Sequence, residues 1–254
     1  MTGRGDPGLA GRTALVTGGT RGVGRAVVLA LARHGVRVVT CHRRGGEAAG
    51  SLERALRETG GGHHVLRADL ADPGEVGDLF AHCAELVGGL DIVVNNAAEI
   101  SRVPFGELSL SEWRQTIGTN ARGAHLVIQR ALPLLRDGAS VISISSAAAR
   151  LGVAAQAHYT ASKAALHGLS RSLAKEFGVA RGIRFTVLAL GMVHTEALDE
   201  LPEPVREQLI ARYTRLIPLG RLATPDDAAD AVLWLSGDGA RYLTGTVVPV
   251  DGGL

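Results

Sequence analysis

Lysine is almost missing from this chain. Lys163 and Lys175 are the only two among 254 residues, and every other basic side chain is arginine. Cysteine is equally scarce. Cys41 and Cys83 stand in apolar contexts without metal-ligand spacing, which speaks against a cysteine-built metal site and reads as two reduced, packed thiols. No His/Cys/Asp cluster suggests a metal elsewhere. No apolar run approaches the roughly eighteen residues that cross a bilayer. Residues 1–12 are polar and glycine-rich, with no apolar signal core. A cytoplasmic protein with a flexible leader over 1–11 is expected, and the tripeptide Arg4-Gly5-Asp6 inside that leader carries no adhesive role. The net charge is only +2 and no basic run is dense, so nucleic-acid binding is not suggested.

What is present is an ordinary globular composition, 46% hydrophobic and 20% charged. No repeat, linker or shift in composition divides the chain, so a single domain over 12–254 is expected. Short β-branched runs at 13–17, 36–41, 64–68, 91–94, 140–145, 183–190 and 246–250 predict seven strands. Most are continuously apolar, as strands covered on both faces are. Helices are predicted between them at 22–33, 47–58, 74–87, 111–135, 155–177 and 225–236. In the fourth, Trp113, Ile117, Ala121, Ala124, Ile128, Leu132 and Leu135 form a stripe at three- and four-residue steps. Strand-helix alternation throughout predicts an α/β fold of the Rossmann type, a doubly wound parallel sheet with helices on both faces. Residues 195–216 break the rhythm. Five acids and two prolines there predict one or two short helices outside the sheet, either a mobile lid over a site or a plain surface insertion.

The first strand runs into Thr17-Gly18-Gly19-Thr20-Arg21-Gly22-Val23-Gly24 and then a helix. Glycines there permit a tight turn and close approach of backbone to phosphate, and the helix start offers free N–H groups to a pyrophosphate. An acid for the adenosine ribose of NAD is expected at the end of the second strand. The residues there are Thr40-Cys41-His42-Arg43-Arg44, with no carboxylate and two guanidinium groups; Arg21 adds a third. Such groups grip a 2′-phosphate, which points to NADP(H) rather than NAD(H).

Tyr159 and Lys163 stand one helical turn apart, so they share a face, and Ser146 lies thirteen residues upstream. A phenol titrates near pH ~10, and a nearby cation favours its ionised form. Arginine holds its proton too tightly to relay one, which gives a lysine here extra weight in a chain that otherwise avoids lysine.

Further signals are Asp69-Leu70 after the third strand, Asn95-Asn96-Ala97-Ala98 after the fourth, Asn120 in the long helix, Gly191 to Thr195 after the sixth, and Asp251-Gly252-Gly253. In this order and spacing the set resembles the short-chain dehydrogenase/reductase family. It is similar to its ketoreductases, such as 3-oxoacyl reductases and actinobacterial polyketide ketoreductases. The resemblance implies a catalytic set of Asn120, Ser146, Tyr159 and Lys163. Tyr159 would be the general acid. Lys163 would lower its pKa and bind the nicotinamide ribose. Ser146 would fix the substrate carbonyl. Asn120 would hold a relay water, or else be a helix amide bonding its neighbours. It implies NADP(H) contacts from Gly18, Thr20, Arg21, Gly22, Val23, Gly24, His42, Arg43, Arg44, Asp69, Leu70, Asn96, Ala97, Ala98, Tyr159, Lys163, Gly191, Val193 and Thr195. Thr17 and Asn95 would tie the central strands together. Ser146, Arg150, Val153, Tyr159 and Met192 would face the substrate, with Glu99, Arg102 and His158 beside them.

Three departures stand out. Ala98 replaces the usual glycine, Leu190 replaces the proline before Gly191, and Asp137 occupies the position before strand five where carrier-dependent members place a basic residue. The expected activity is NADPH-dependent reduction of a bulky, largely apolar ketone to a secondary alcohol. The arginine-rich, lysine-poor, alanine-rich composition resembles chains from high-GC actinobacteria, and the resemblance to the short-chain reductases found there implies a polyketide-type substrate in antibiotic biosynthesis. The alternatives are a 3-oxoacyl-thioester reductase and a non-catalytic NADP-sensing or scaffold protein. The resemblance also implies a homo-oligomer, dimer or tetramer, joined through the two long helices.

Overall fold

A computed structural model describes residues 8–254. The tripeptide at 4–6 and most of the expected leader lie outside the described residues. Of the leader's last residues, Leu9 is fully buried and the Gly11 N–H bonds the Gly35 carbonyl at 2.9 Å.

Seven parallel strands form one sheet: β1 (Thr13–Thr17), β2 (Arg37–His42), β3 (His64–Arg67), β4 (Leu90–Asn95), β5 (Leu135–Ser146), β6 (Arg184–Leu190) and β7 (Thr246–Val250). Their order is β3-β2-β1-β4-β5-β6-β7. Side-chain alternation splits the core in two. Ala14 and Val16 of β1 face the layer of α1 (Gly22–Arg33), α2 (Glu47–Thr59) and α10 (Pro225–Ser236). Leu15, one residue out of phase, faces α3 (Pro73–Val87), α5 (Gly123–Ala131) and α7 (Ala157–Arg181). Each fully buried Val, Leu or Ile contributes about 1.5–3 kcal/mol before chain entropy is subtracted.

Local chemistry sets several helix starts. Asp72 accepts the Gly74 and Glu75 N–H groups ahead of α3, with Pro73 in the first turn. Thr224 and Asp227 form a reciprocal capping box at α10. Ser109 caps α4 (Leu110–Ile117). By contrast, α1 has no side-chain cap of its own.

One expected helix needs correction. The segment 111–135 is α4 and α5 joined by a wide π-type turn, Gly118–Arg122, and helix ends at Ala131. Pro133 lacks the N–H that a further helical turn needs, and Leu135 opens β5 instead. A one-turn helix, α6 (Ala148–Leu151), follows β5. The segment 195–216 holds two helices, α8 (Glu196–Asp199) and α9 (Glu203–Leu216).

Candidate active site

Strand order reverses between β1 and β4, and a crevice opens at the carboxyl ends of these strands. On the β2 side lies a cavity of about 400 Å³ lined by Gly18, Thr20 and Arg21, by His42, Arg43 and Arg44, by Asp69 and Leu70, and by Ala97 and Ala98. Gly18 has φ +68°, and a Cβ on it would stand 2.9 Å from the Ala97 Cα. Gly24 serves packing rather than ligand contact. A Cβ there would come 2.1 Å from the Gly18 carbonyl oxygen. The junction is tied by Thr17, whose Oγ1 accepts the Asn96 and Ala97 N–H groups at 3.0 and 3.1 Å. Asn96 Nδ2 donates to the Thr17 and Gly18 carbonyls. The tying role expected of Asn95 therefore belongs to Asn96. Asn95 is buried, and its side-chain amide has no partner among the described residues.

A second cavity of about 580 Å³ lies on the other side of Ala98, which lines both. Ser146, Tyr159, Lys163, Val23, Gly191, Val193 and Thr195 line it, as do the expected substrate-facing residues Val153 and Met192. Leu198 of α8 and Leu209, Tyr213 and Leu216 of α9 form one wall, so the 195–216 segment borders this cavity. Arg102 and Arg212 also border it, and among the described residues no carboxylate side chain does; the rest of the lining is mostly apolar.

The polar centre of this cavity follows from two elements. Ser146 ends β5, and its hydroxyl accepts the Ala148 N–H at 3.1 Å. Tyr159 and Lys163 are in the first two turns of α7, entered through Ala155, which holds a positive φ of 61°. The Ala155 carbonyl accepts the Val103 N–H at 2.8 Å, which fastens this entry to the loop after β4. Lys163 is 3% exposed and donates from Nζ to the Ile144 carbonyl at 2.8 Å. Burial lowers its pKa to about 8. Its Nζ stands 5.9 Å from the centre of the Tyr159 ring. Burial raises the Tyr159 phenol above its ordinary value, opposed by a hydrogen bond with Ser146. The expected depression of this phenol by Lys163 is thus not realised in the protein alone, because desolvation outweighs the neighbouring groups. The result is a proton-bearing hydroxyl at neutral pH beside a second hydroxyl, suited to donating a proton to a carbonyl oxygen.

Asn120 lies in the π-type turn, 2% exposed, and lines neither cavity. Its Oδ1 accepts the Glu99 N–H at 2.7 Å, and its Nδ2 donates to the Glu99 carbonyl at 2.8 Å and to Ser162 Oγ at 3.0 Å. The side chain is thus spent on binding its neighbours rather than directed at Lys163. Ser162 in turn donates to the Tyr159 carbonyl at 2.7 Å, so Asn120 braces the turn that carries the tyrosine.

Four other residues sit away from their expected places. Arg150 lines neither cavity. Its guanidinium is held by Asp251 at 3.0 Å and the Leu254 carbonyl at 2.6 Å. His158 is fully buried and bonds Ser101, which donates to Glu112. Glu99 lines the β2-side cavity instead of the substrate side. Gly22 lines neither cavity, and its N–H donates to Glu196. Sequence reasoning missed Cys41, Glu47 and Thr119 on the β2 side and Gln156 and Leu254 on the other. Their contacts are tertiary, and no local spacing signals them.

Residues 18–254 match the family model described as Enoyl-(Acyl carrier protein) reductase. L-rhamnose 1-dehydrogenase (NAD(P)(+)) of Azotobacter vinelandii is 36% identical over 96% of both chains. The 3-oxoacyl-[acyl-carrier-protein] reductase FabG of Staphylococcus aureus is 33% identical over 96% of this chain and 98% of its own. A short-chain dehydrogenase/reductase of Serratia marcescens superposes with a TM-score of 0.90 at 30% identity, covering 96% of this chain and 98% of its own. This chain belongs to the short-chain dehydrogenase/reductase family. A blue fluorescent protein from a metagenomic library, solved in complex with NADPH, has the same fold, with a TM-score of 0.88 at 33% identity over 96% and 98% of the chains.

Members of this oxidoreductase family use NAD(P)(H), and the residues present suit such a group. Two cavities share Ala98, one lined by three arginines and the other by the tyrosine, serine and lysine. His42, in the arginine-lined cavity, carries a buried Nδ1 without a partner among the described residues. No helix among the described residues is long and apolar enough to cross a membrane.

Proposed function

We propose that this short-chain dehydrogenase/reductase reduces a bulky, apolar ketone to a secondary alcohol with NADPH. The observation that carries this reading is the meeting of Ser146, Tyr159 and Lys163 in one apolar cavity whose wall, Ala98, is shared with a cavity lined by Arg21, Arg43 and Arg44. The arginines would take the 2′-phosphate, which guanidinium groups bind well. Asp69 and Leu70 would flank the adenine, Val193 and Thr195 the nicotinamide end, and Lys163 the nicotinamide ribose. When bound, the dinucleotide supplies hydride to the carbonyl carbon. The Ser146 hydroxyl orients the carbonyl oxygen and supports the negative charge that develops on it. Tyr159 donates its proton to that oxygen. The Lys163 ammonium, 5.9 Å from the ring centre, favours the phenolate left behind. Helices α8 and α9, which border the cavity, would shield it from water.

The apolar lining favours a polycyclic, polyketide-type ketone over a sugar. A second reading, reduction of a 3-oxoacyl thioester, is favoured by the likeness to FabG over nearly the full chain. The same lining would take an acyl chain. A panel of polycyclic ketones and 3-oxoacyl thioesters, with NADPH absorbance followed, tests both. Turnover of cyclic ketones alone supports the first reading, and turnover of pantetheine thioesters alone supports the second. Turnover of neither, under conditions where NADPH binds, would leave a cofactor-sensing protein and sink both. A dimer or tetramer is expected in light scattering, and a monomeric mass would refute that part.

A further inference from the structure

The end of β2 lacks the acid that would select NAD(H), but the fold brings three into the same cavity from other elements, Glu47, Asp69 and Glu99, and the last of these stands beside Arg43. Glu99, in the loop after β4, lines this cavity together with Arg43. Its placement is fixed at several points. Asn120 bonds both its N–H and its carbonyl, at 2.7 and 2.8 Å. Its carboxylate accepts from Gln115 Nε2 at 2.9 Å and from Thr119 Oγ1 at 3.4 Å. The Arg43 Nη2 stands 3.7 Å from the same carboxylate. Glu99 is only 26% exposed, so solvent screens it incompletely.

We propose that Glu99 is a selectivity-determining residue, whose carboxylate competes with the cofactor's 2′-phosphate for Arg43 and so holds down the preference for NADP(H) over NAD(H). The inference rests on the proposed placement of that phosphate at Arg43. A phosphate gripped by Arg43 must displace this carboxylate or sit close to it, and like charges at such range repel. NAD(H) has no 2′-phosphate and meets neither penalty. The carboxylate thus acts in the sense opposite to the arginines, and the balance between them sets the selectivity.

The test is calorimetric titration of the full chain with 2′,5′-ADP and with 5′-AMP, which differ in the phosphate at issue and need no turnover. Glu99→Gln keeps the side chain's shape and can still accept from Gln115 and bond Thr119. It is expected to tighten 2′,5′-ADP about two- to fivefold and leave 5′-AMP unchanged, by the strength of partly exposed ion pairs. NADP+ and NAD+ should follow the same pattern. Should the glutamine variant fold poorly, Glu99→Asp, which draws the carboxylate back from Arg43, should shift the ratio in the same direction. Equal changes for both ligands, or none, would overturn the proposal. Arg43→Ala separates the two levels. If it weakens 2′,5′-ADP selectively while Glu99→Gln changes nothing, only the role of Glu99 fails. If it does not, the placement of the phosphate fails, and the role of Glu99 with it.

Discussion

Glu196 Oε2 accepts a hydrogen bond from the Gly22 N–H at 3.0 Å, across the start of α1. The helix has no side-chain cap of its own, so a carboxylate from α8 fills that part. Glu200 reaches the neighbouring Arg21 at 3.3 Å. Two acids of the 195–216 segment thus sit at the glycine-rich loop, where the dipole of α1 attracts negative charge. Glu196→Gln removes the charge and keeps an acceptor. It is expected to tighten NADPH and NADH alike, about two- to fivefold, the scale of a charge at a helix end. Calorimetric dissociation constants check this. Unchanged affinity for both cofactors would show that Glu196 does not contest the diphosphate position.

Tyr159→Phe keeps the ring and loses the hydroxyl. Reduction should fall by about 10²–10⁴-fold, the range of general acid catalysis. The NADPH dissociation constant should stay within about twofold. Single-turnover absorbance together with a binding titration separates the two, and undiminished turnover would remove Tyr159 from its role.

Lys163 has a folded-state pKa of about 8, below the ordinary lysine value. Between those values the unfolded chain holds a proton that the folded chain has released. Raising the pH through this window therefore stabilises the folded state by about 1.4 kcal/mol per unit. Cys41 and Cys83, raised by burial to about 11 and about 12, work in the opposite direction as the pH climbs through the ordinary thiol range. The useful quantity is the difference between the wild type and Lys163→Met. The wild type should gain on the variant from pH 8 to pH 10 in denaturant titrations. Parallel curves would refute the buried ammonium.

Asn120→Ala strips the partly buried Glu99 N–H and carbonyl of their side-chain partner and removes one of the two hydrogen bonds of the Ser162 hydroxyl. A loss of about 1–3 kcal/mol in unfolding free energy is expected, the cost of stranded polar groups. Urea denaturation measures it. An unchanged midpoint would mean that the brace between the Glu99 loop and α7 has no weight.

The layered sheet was legible because its signal is local. Continuous apolar runs mark strands covered on both faces, and the β1-loop-α1 junction announces itself through glycine spacing. Tyr159, Lys163 and Ser146 line one cavity, and the one-turn spacing of the first two is readable in the chain. The misses have one cause, which is that tertiary contacts leave no trace in spacing. Leu135 fits the helical stripe, yet Pro133 and pairing with Leu90 carry it into β5. Arg150 reads as a pocket residue until Asp251, a hundred residues on, claims it. Glu99 follows the Asn-Asn-Ala-Ala motif, and only the turn at Asn120 decides which cavity it enters. The Tyr159 pKa depends on burial, which a one-turn spacing to lysine does not report.

Lys163 is sequestered at 3% exposure and Lys175 is open on the surface of α7. In most proteins an amine-reactive reagent scatters over many lysine side chains. Here it meets two, and in the single chain only Lys175 lies open. With the terminal α-amine blocked, a fluorophore or crosslinker attached at Lys175 would give a nearly uniform conjugate, while any labelling of Lys163 would report that the inner chamber had been reached, turning a compositional scarcity into a built-in gauge of access.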